Sequence, residues 1–137
     1  MPQQLTTADI LVGARKLIAD PAHWTKHYWA KDKDGKPIDI HDPKAERFCA
    51  LGAIMRFNRT QNPDFISAVL SADNLDLPEQ SAHDELWAAA LDGAPDDYDG
   101  DQDDKNGLSN WNDTGARKHR EVMKAFNAAI RNAKGRK

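Results

Sequence analysis

A single cysteine stands in the 137 residues, so no internal disulfide can form and the core must hold by packing. No apolar run approaches the ~18 residues of a membrane span. The opening Met1-Pro2-Gln3-Gln4 has neither the basic region nor the apolar stretch of a secretory signal. These absences point to the cytoplasm. The five histidines show no HExxH and no Cys/His zinc spacing, so neither metal nor cofactor is expected. Lys and Arg are missing altogether between residues 61 and 104, where 13 Asp and Glu accumulate.

What is present suits one domain, residues 1–137. Hydrophobic residues make up 39% and charged residues 30%, enough for a core in a polar shell. The net charge of −3 hides a layout. Residues 1–60 carry 10 Lys/Arg against 7 Asp/Glu, and residues 105–137 carry 9 against 2. The acidic middle and the basic end either attract each other within the fold or offer opposite faces to partners.

In chain order, Thr7 is a candidate N-cap for a first helix, with Asp9 in its first turn and Ile10, Leu11, Ala14, Leu17 and Ile18 at helical spacing. Asp20-Pro21 ends it. Trp24, Tyr28 and Trp29 favour extended backbone, Asp32-Lys33-Asp34-Gly35 reads as a turn, and Ile38 and Ile40 alternate with polar residues. This predicts a short β-hairpin near 24–40. Asp42-Pro43 resembles a helix start, and the apolar positions after it predict a central helix over about 43–58. Asn62-Pro63 starts a short helix, and Ser81-Ala82-His83-Asp84 resembles a capping box for another. Residues 92–110, with seven Asp, three Gly and one Pro, read as an acidic, partly mobile loop. Asp113 or Thr114 caps the last helix, whose tail at 134–137 frays. The expectation is a mainly α bundle of about five helices, with the last helix packed on the central one.

Three features taken together, Trp24 with its Asp-x-x-Gly turn, Cys49-Ala50-Leu51-Gly52-Ala53, and Trp111-Asn112-Asp113, resemble a family of small uncharacterised bacterial and phage proteins. That family is marked by a Cys-x-x-Gly-Ala helix and a late Trp-Asn-Asp. The resemblance spans most of the chain outside about 92–105. It implies a compact helical domain and no assigned activity.

Cys49 is the candidate nucleophile. It needs a lowered pKa and a base within reach: His41 is the first candidate, with His23 and His27 as others, and Asp113 or Asn112 would orient the base. Placed two turns inside a helix starting near Asp42, Cys49 gains little from the helix dipole, and a small buried hydrophobe is the simpler account. Trp111, Asn112 and Trp24 are the candidate ligand-binding residues, Trp111 otherwise serving as a hydrophobic staple. Asp97 to Asp104 supply oxygen ligands, but the sixth and twelfth positions of an EF-hand are not met from Asp97 or Asp99. The basic stretch 117–137 suits phosphates, yet a pI near 5.9 and the lack of a recognisable module make nucleic acid the lesser expectation. The reading is therefore a non-enzymatic binding or accessory protein, phage or mobile-element associated, with a protein partner. A Cys49-dependent hydrolase or transferase comes second, and an acidic mimic of nucleic acid third.

Overall fold

The computed structural model describes residues 5–61, 77–92, 107–113 and 118–135. Within these the chain is mainly helical: α1 (Thr7–Leu17), α2 (Ala50–Gln61), α3 (Leu77–Asp92), α4 (Gly107–Asp113) and α5 (His119–Gly135). A 3-10 turn at Pro21–His23 and two short strands, β1 (Ala30–Lys31) and β2 (Arg47–Phe48), complete it. The strands pair antiparallel, Ala30 opposite Phe48 and Lys31 opposite Arg47. No described helix is long and apolar enough to cross a membrane.

The N-cap of α1 is Thr6, one residue before the expected Thr7. Its side chain accepts from Asp9 N while the Asp9 carboxylate accepts from Thr6 N, satisfying two donors that helix geometry leaves open. Ile10, Leu11, Ala14 and Ile18 then point inward with no exposed surface. The helix contacts α2, α3 and α5. Gly13 lets α2 come close, since a Cβ there would fall within 2.3 Å of the Phe57 ring. Ile54, Met55, Leu86, Leu108, Val122 and Phe126 close the core. Fully burying side chains of this kind contributes about 1.5–3 kcal/mol each. The last helix lies chiefly against α1 and α3 rather than on α2.

The expected hairpin is present in outline. Asp32 N donates to Lys36 O and Ile38 N to Ala30 O, around a turn in which Gly35 has φ +82°. Asp32 Oδ1 accepts from the backbone of Asp34 and Lys36, and these bonds hold its carboxyl below the usual range. Residues 46–49 also join this sheet, which corrects the start of the central helix. Glu46 N donates to Lys31 O, Thr25 N to Phe48 O, and Cys49 N to Trp29 O. Asp42-Pro43 makes only a local turn, closed by Lys44 N to Asp42 Oδ1 and Ala45 N to Asp42 O. Backbone groups committed to a strand cannot also serve a helix, so α2 starts at Ala50.

Two further boundaries differ from expectation. Ser81 lies inside α3, which runs unbroken from Leu77. Trp111-Asn112-Asp113 ends a short helix of its own, α4, instead of opening the last one. At the start of α5, Glu121 reaches back to accept from Lys118 N. Of the loop expected over 92–110, Asp92 ends α3 and residues 107–110 belong to α4, and of the tail expected to fray at 134–137, residues 134 and 135 are still in α5. The helix expected from Asn62-Pro63, the rest of the acidic loop with its Asp97–Asp104 cluster, and residues 136–137 fall outside the described residues.

Candidate functional site

Cys49 is the N-cap of α2. Its Sγ accepts from Gly52 N at 3.3 Å, the bond that a Ser or Asp side chain commonly makes at this position. A helix N-terminus favours a thiolate, as the sequence argument required of a nucleophile. Burial opposes it and wins: Cys49 is 2% exposed, and its pKa is pushed up to about 12, chiefly by desolvation, with the Asp113 carboxylate adding to the rise. The expectation of a cysteine deep inside a helix is thus corrected, while the thiol stays protonated for a different reason.

Gly52 explains the spacing of the motif. A Cβ at this position would lie 2.0 Å from the Trp29 carbonyl oxygen, the same oxygen that accepts from Cys49 N at 3.3 Å. The Cys-x-x-Gly pair therefore grips the backbone of Trp29, one residue with its N–H and the other by making room.

The second motif grips the same loop from the other side. Asn112 is fully buried. Its Oδ1 accepts from Trp24 Nε1 at 2.7 Å and from Ala50 N at 3.1 Å. Its Nδ2 donates to Thr25 O and to Asp113 Oδ1, both at 3.0 Å. Both amide hydrogens and both lone pairs of the carbonyl are thereby used. Asp113 Oδ1 also accepts from His27 N at 2.7 Å. His27 has φ +76°, a left-handed conformation that costs a non-glycine residue about 1–3 kcal/mol unless its surroundings impose it. Trp111, 2% exposed, roots α4 in the core.

The structure therefore brings Cys49, Trp24, Asn112 and Asp113 together. It does not bring His41 to them. His41 Nδ1 lies 2.8 Å from Asp39 Oδ1, and its Nε2 faces Arg59 Nη1 at 3.3 Å. The Asp39 carboxyl is held low, first by the His41 backbone N–H and then by its ring. Arg59 in turn pairs with the wholly buried Glu79 through Nε and Nη2, each at 3.1 Å, and Asn58 Nδ2 donates to Glu79 at 2.8 Å. This network ties α2 to α3. His23 bonds Glu46 O, and the His27 side chain is exposed. Among the described residues no histidine bonds Cys49.

Sequence reasoning missed Thr25, Trp29 and the backbone of His27, because they act through main-chain atoms that no residue type announces. It also missed a cavity of about 360 Å³ beside the clamped loop, lined by His27, Tyr28, Trp29, Pro37, Ile38 and Asp39 among others. A larger depression of about 760 Å³, between the start of α1, α3 and the end of α5, holds none of the motif residues. Among the described residues no three His, Cys, Asp or Glu side chains converge as metal ligands.

Both motifs thus meet on one loop, and the comparison with known families also gives an uncharacterised family. The chain belongs to DUF6197, a family of unknown function. The family model matches residues 2–132. Neither a curated protein nor a solved structure matches the chain. In this DUF6197 member, the two motifs together clamp the backbone of Thr25, His27 and Trp29.

Proposed function

We propose that this chain is a small binding or accessory protein with no chemistry of its own. Its two motifs serve as a clamp that holds residues 24–30 in a fixed shape for a partner. The observation that carries this reading is the saturated amide of Asn112, which has no donor or acceptor left for a substrate. Cys49 supports it. The thiol is enclosed, protonated and used as a helix cap, and no histidine stands ready to take its proton. A lone buried thiol also suits the reducing cytoplasm, and we assign the protein there, among phage- or mobile-element-associated accessory proteins.

The decisive experiment follows thiol labelling of the folded protein against pH. Labelling should be slow at every pH from 6 to 9 and should keep pace with unfolding as urea is added. Rapid labelling below pH 7 would overturn the reading in favour of a nucleophilic Cys49.

A further inference from the structure

We propose that the surface over Tyr28 and Trp29 binds single-stranded nucleic acid, with a base stacked on Tyr28 and the phosphate chain running along the cations of α5. The inference rests on the clamp reading and names its partner.

The clamp fixes the neighbours of Tyr28 and leaves the Tyr28 ring half exposed. His27 is held through its N–H by Asp113, and Trp29 is held through its carbonyl by Cys49 against Gly52. Tyr28 between them is 50% exposed, the one large hydrophobic side chain so exposed among the described residues. A ring presented from a rigid backbone loses little conformational freedom when a partner stacks on it. It stands at the rim of the 360 Å³ cavity, whose wall is largely apolar through Trp29, Pro37 and Ile38. Asp39 is the acid in that wall. One of its oxygens is taken by His41, so the other can accept from the exocyclic amine of a base.

Two lysines flank the loop. Lys31 Nζ lies 5.4 Å from the centre of the Tyr28 ring. Lys26 Nζ lies 5.4 Å from the centre of the Trp24 ring, which packs at 5.9 Å on His119, the first residue of α5. From that point α5 carries Arg120, Lys124, Arg131 and Lys134, all exposed and spaced to fall on one stripe. At 1.5 Å per residue the stripe runs about 21 Å. Asn127, on the same stripe, accepts from Arg15 of α1 at 2.8 Å, bringing a further cation beside it. Among the described residues none of the four stripe cations pairs with a carboxylate, and the one acid of the helix, Glu121, faces back to cap Lys118. An aromatic platform on a loop that packs, through Trp24, on the start of a line of cations is the combination that takes up single strands. A duplex would meet the stripe alone, because its bases are already stacked and paired.

The test is fluorescence anisotropy with a labelled 15-mer of deoxyadenosine, as a single strand and as its duplex with thymidine. Single strand should bind more tightly than duplex. Four phosphate contacts predict a roughly 50-fold loss of affinity between about 50 and 200 mM salt. Tyr28→Ala should weaken binding about 5- to 150-fold, the worth of one stacked base, while Tyr28→Phe stays near wild type. Lys124→Glu with Arg131→Glu should weaken it further and flatten the salt dependence. All these positions are exposed or half-exposed, so the variants should keep the wild-type far-UV spectrum. No binding at up to about 100 μM protein overturns the proposal. So does equal affinity for duplex with Tyr28→Ala unchanged, or a tryptophan fluorescence response to an acidic peptide and to no oligonucleotide. A negative result with Cys49 still protected removes this partner and leaves the clamp reading intact. A fast-labelling Cys49 removes the clamp reading itself.

Discussion

Removing the Asn112 side chain tests the clamp most directly. In Asn112→Ala the carbonyl of Thr25 and the N–H of Ala50 lose partners at buried positions, and Trp24 Nε1, which is only part-buried, loses an acceptor. Each buried group left unpaired costs about 1–3 kcal/mol. Two such groups, with a smaller loss at Trp24, give a destabilisation of about 3–5 kcal/mol. A domain of this size has about 5–15 kcal/mol in all, so the variant should fold with a clearly lowered midpoint. Interpolating between size classes, the fall in Tm should be about 10–20 °C. Urea unfolding followed by tryptophan fluorescence should show a lower midpoint with an unchanged slope, and amide exchange at His27 should rise with it. Asn112→Asp sharpens the test. A carboxylate keeps both acceptor roles but cannot donate to Thr25, and it stands against the Asp113 carboxylate. The like charge disfavours ionisation of the introduced carboxyl in the folded state, so the folded form gains stability as pH falls, and the variant should partly recover below about pH 5. A loss under about 1 kcal/mol in Asn112→Ala would refute the argument that this amide is essential to the clamp.

Other outcomes follow from the same geometry. Gly52→Ala should destabilise by at least about 3 kcal/mol despite the better helix propensity of Ala, because its Cβ would meet the Trp29 carbonyl; a wild-type melting curve would contradict this. Cys49→Ser should melt within about 1 kcal/mol of wild type, since its hydroxyl can replace Sγ as the cap, whereas Cys49→Ala should lose about 0.5–2 kcal/mol. The raised Cys49 pKa carries a pH signature. Stability from the neutral thiol is complete below its ordinary pKa and drains away as pH rises toward about 12, so wild type should weaken relative to Cys49→Ser in alkaline urea melts. Arg59→Met should cost about 3–5 kcal/mol, because it leaves the wholly buried Glu79 charge without its guanidinium; an unchanged denaturation midpoint would show that the pair is dispensable.

Much of the architecture is legible in the amino-acid sequence. The stripe of Ile10, Leu11, Ala14 and Ile18 and the alternation of Val122 and Phe126 with exposed cations each report a helix with one buried face, because 3.6 residues per turn leaves that period in the sequence. Asp32 to Gly35 announced a turn through residues whose side chain or φ range makes one. The start of α2 was not legible. Asp42-Pro43 has the local chemistry of a helix start, and only pairing of residues 46–49 with the loop opposite diverts the chain into a strand. The late motif misled in the same way, since Asn112 and Asp113 suit a helix cap by type but reach instead to backbone more than 60 residues away.

The sequence by itself determined a mainly helical chain, the absence of disulfides, the separation of its charges and the two short motifs that single it out. Each of these is set by residue type or by local period. Only the tertiary structure decided what the motifs do. Cys49 moved from mid-helix to helix cap, Gly52 proved to be a space for the Trp29 carbonyl, and Asn112 became the junction of α2, α4 and the 24–27 loop. The physical reason is that these roles are bonds to main-chain atoms distant in sequence, and a backbone N–H or C=O is the same in every residue that bears it.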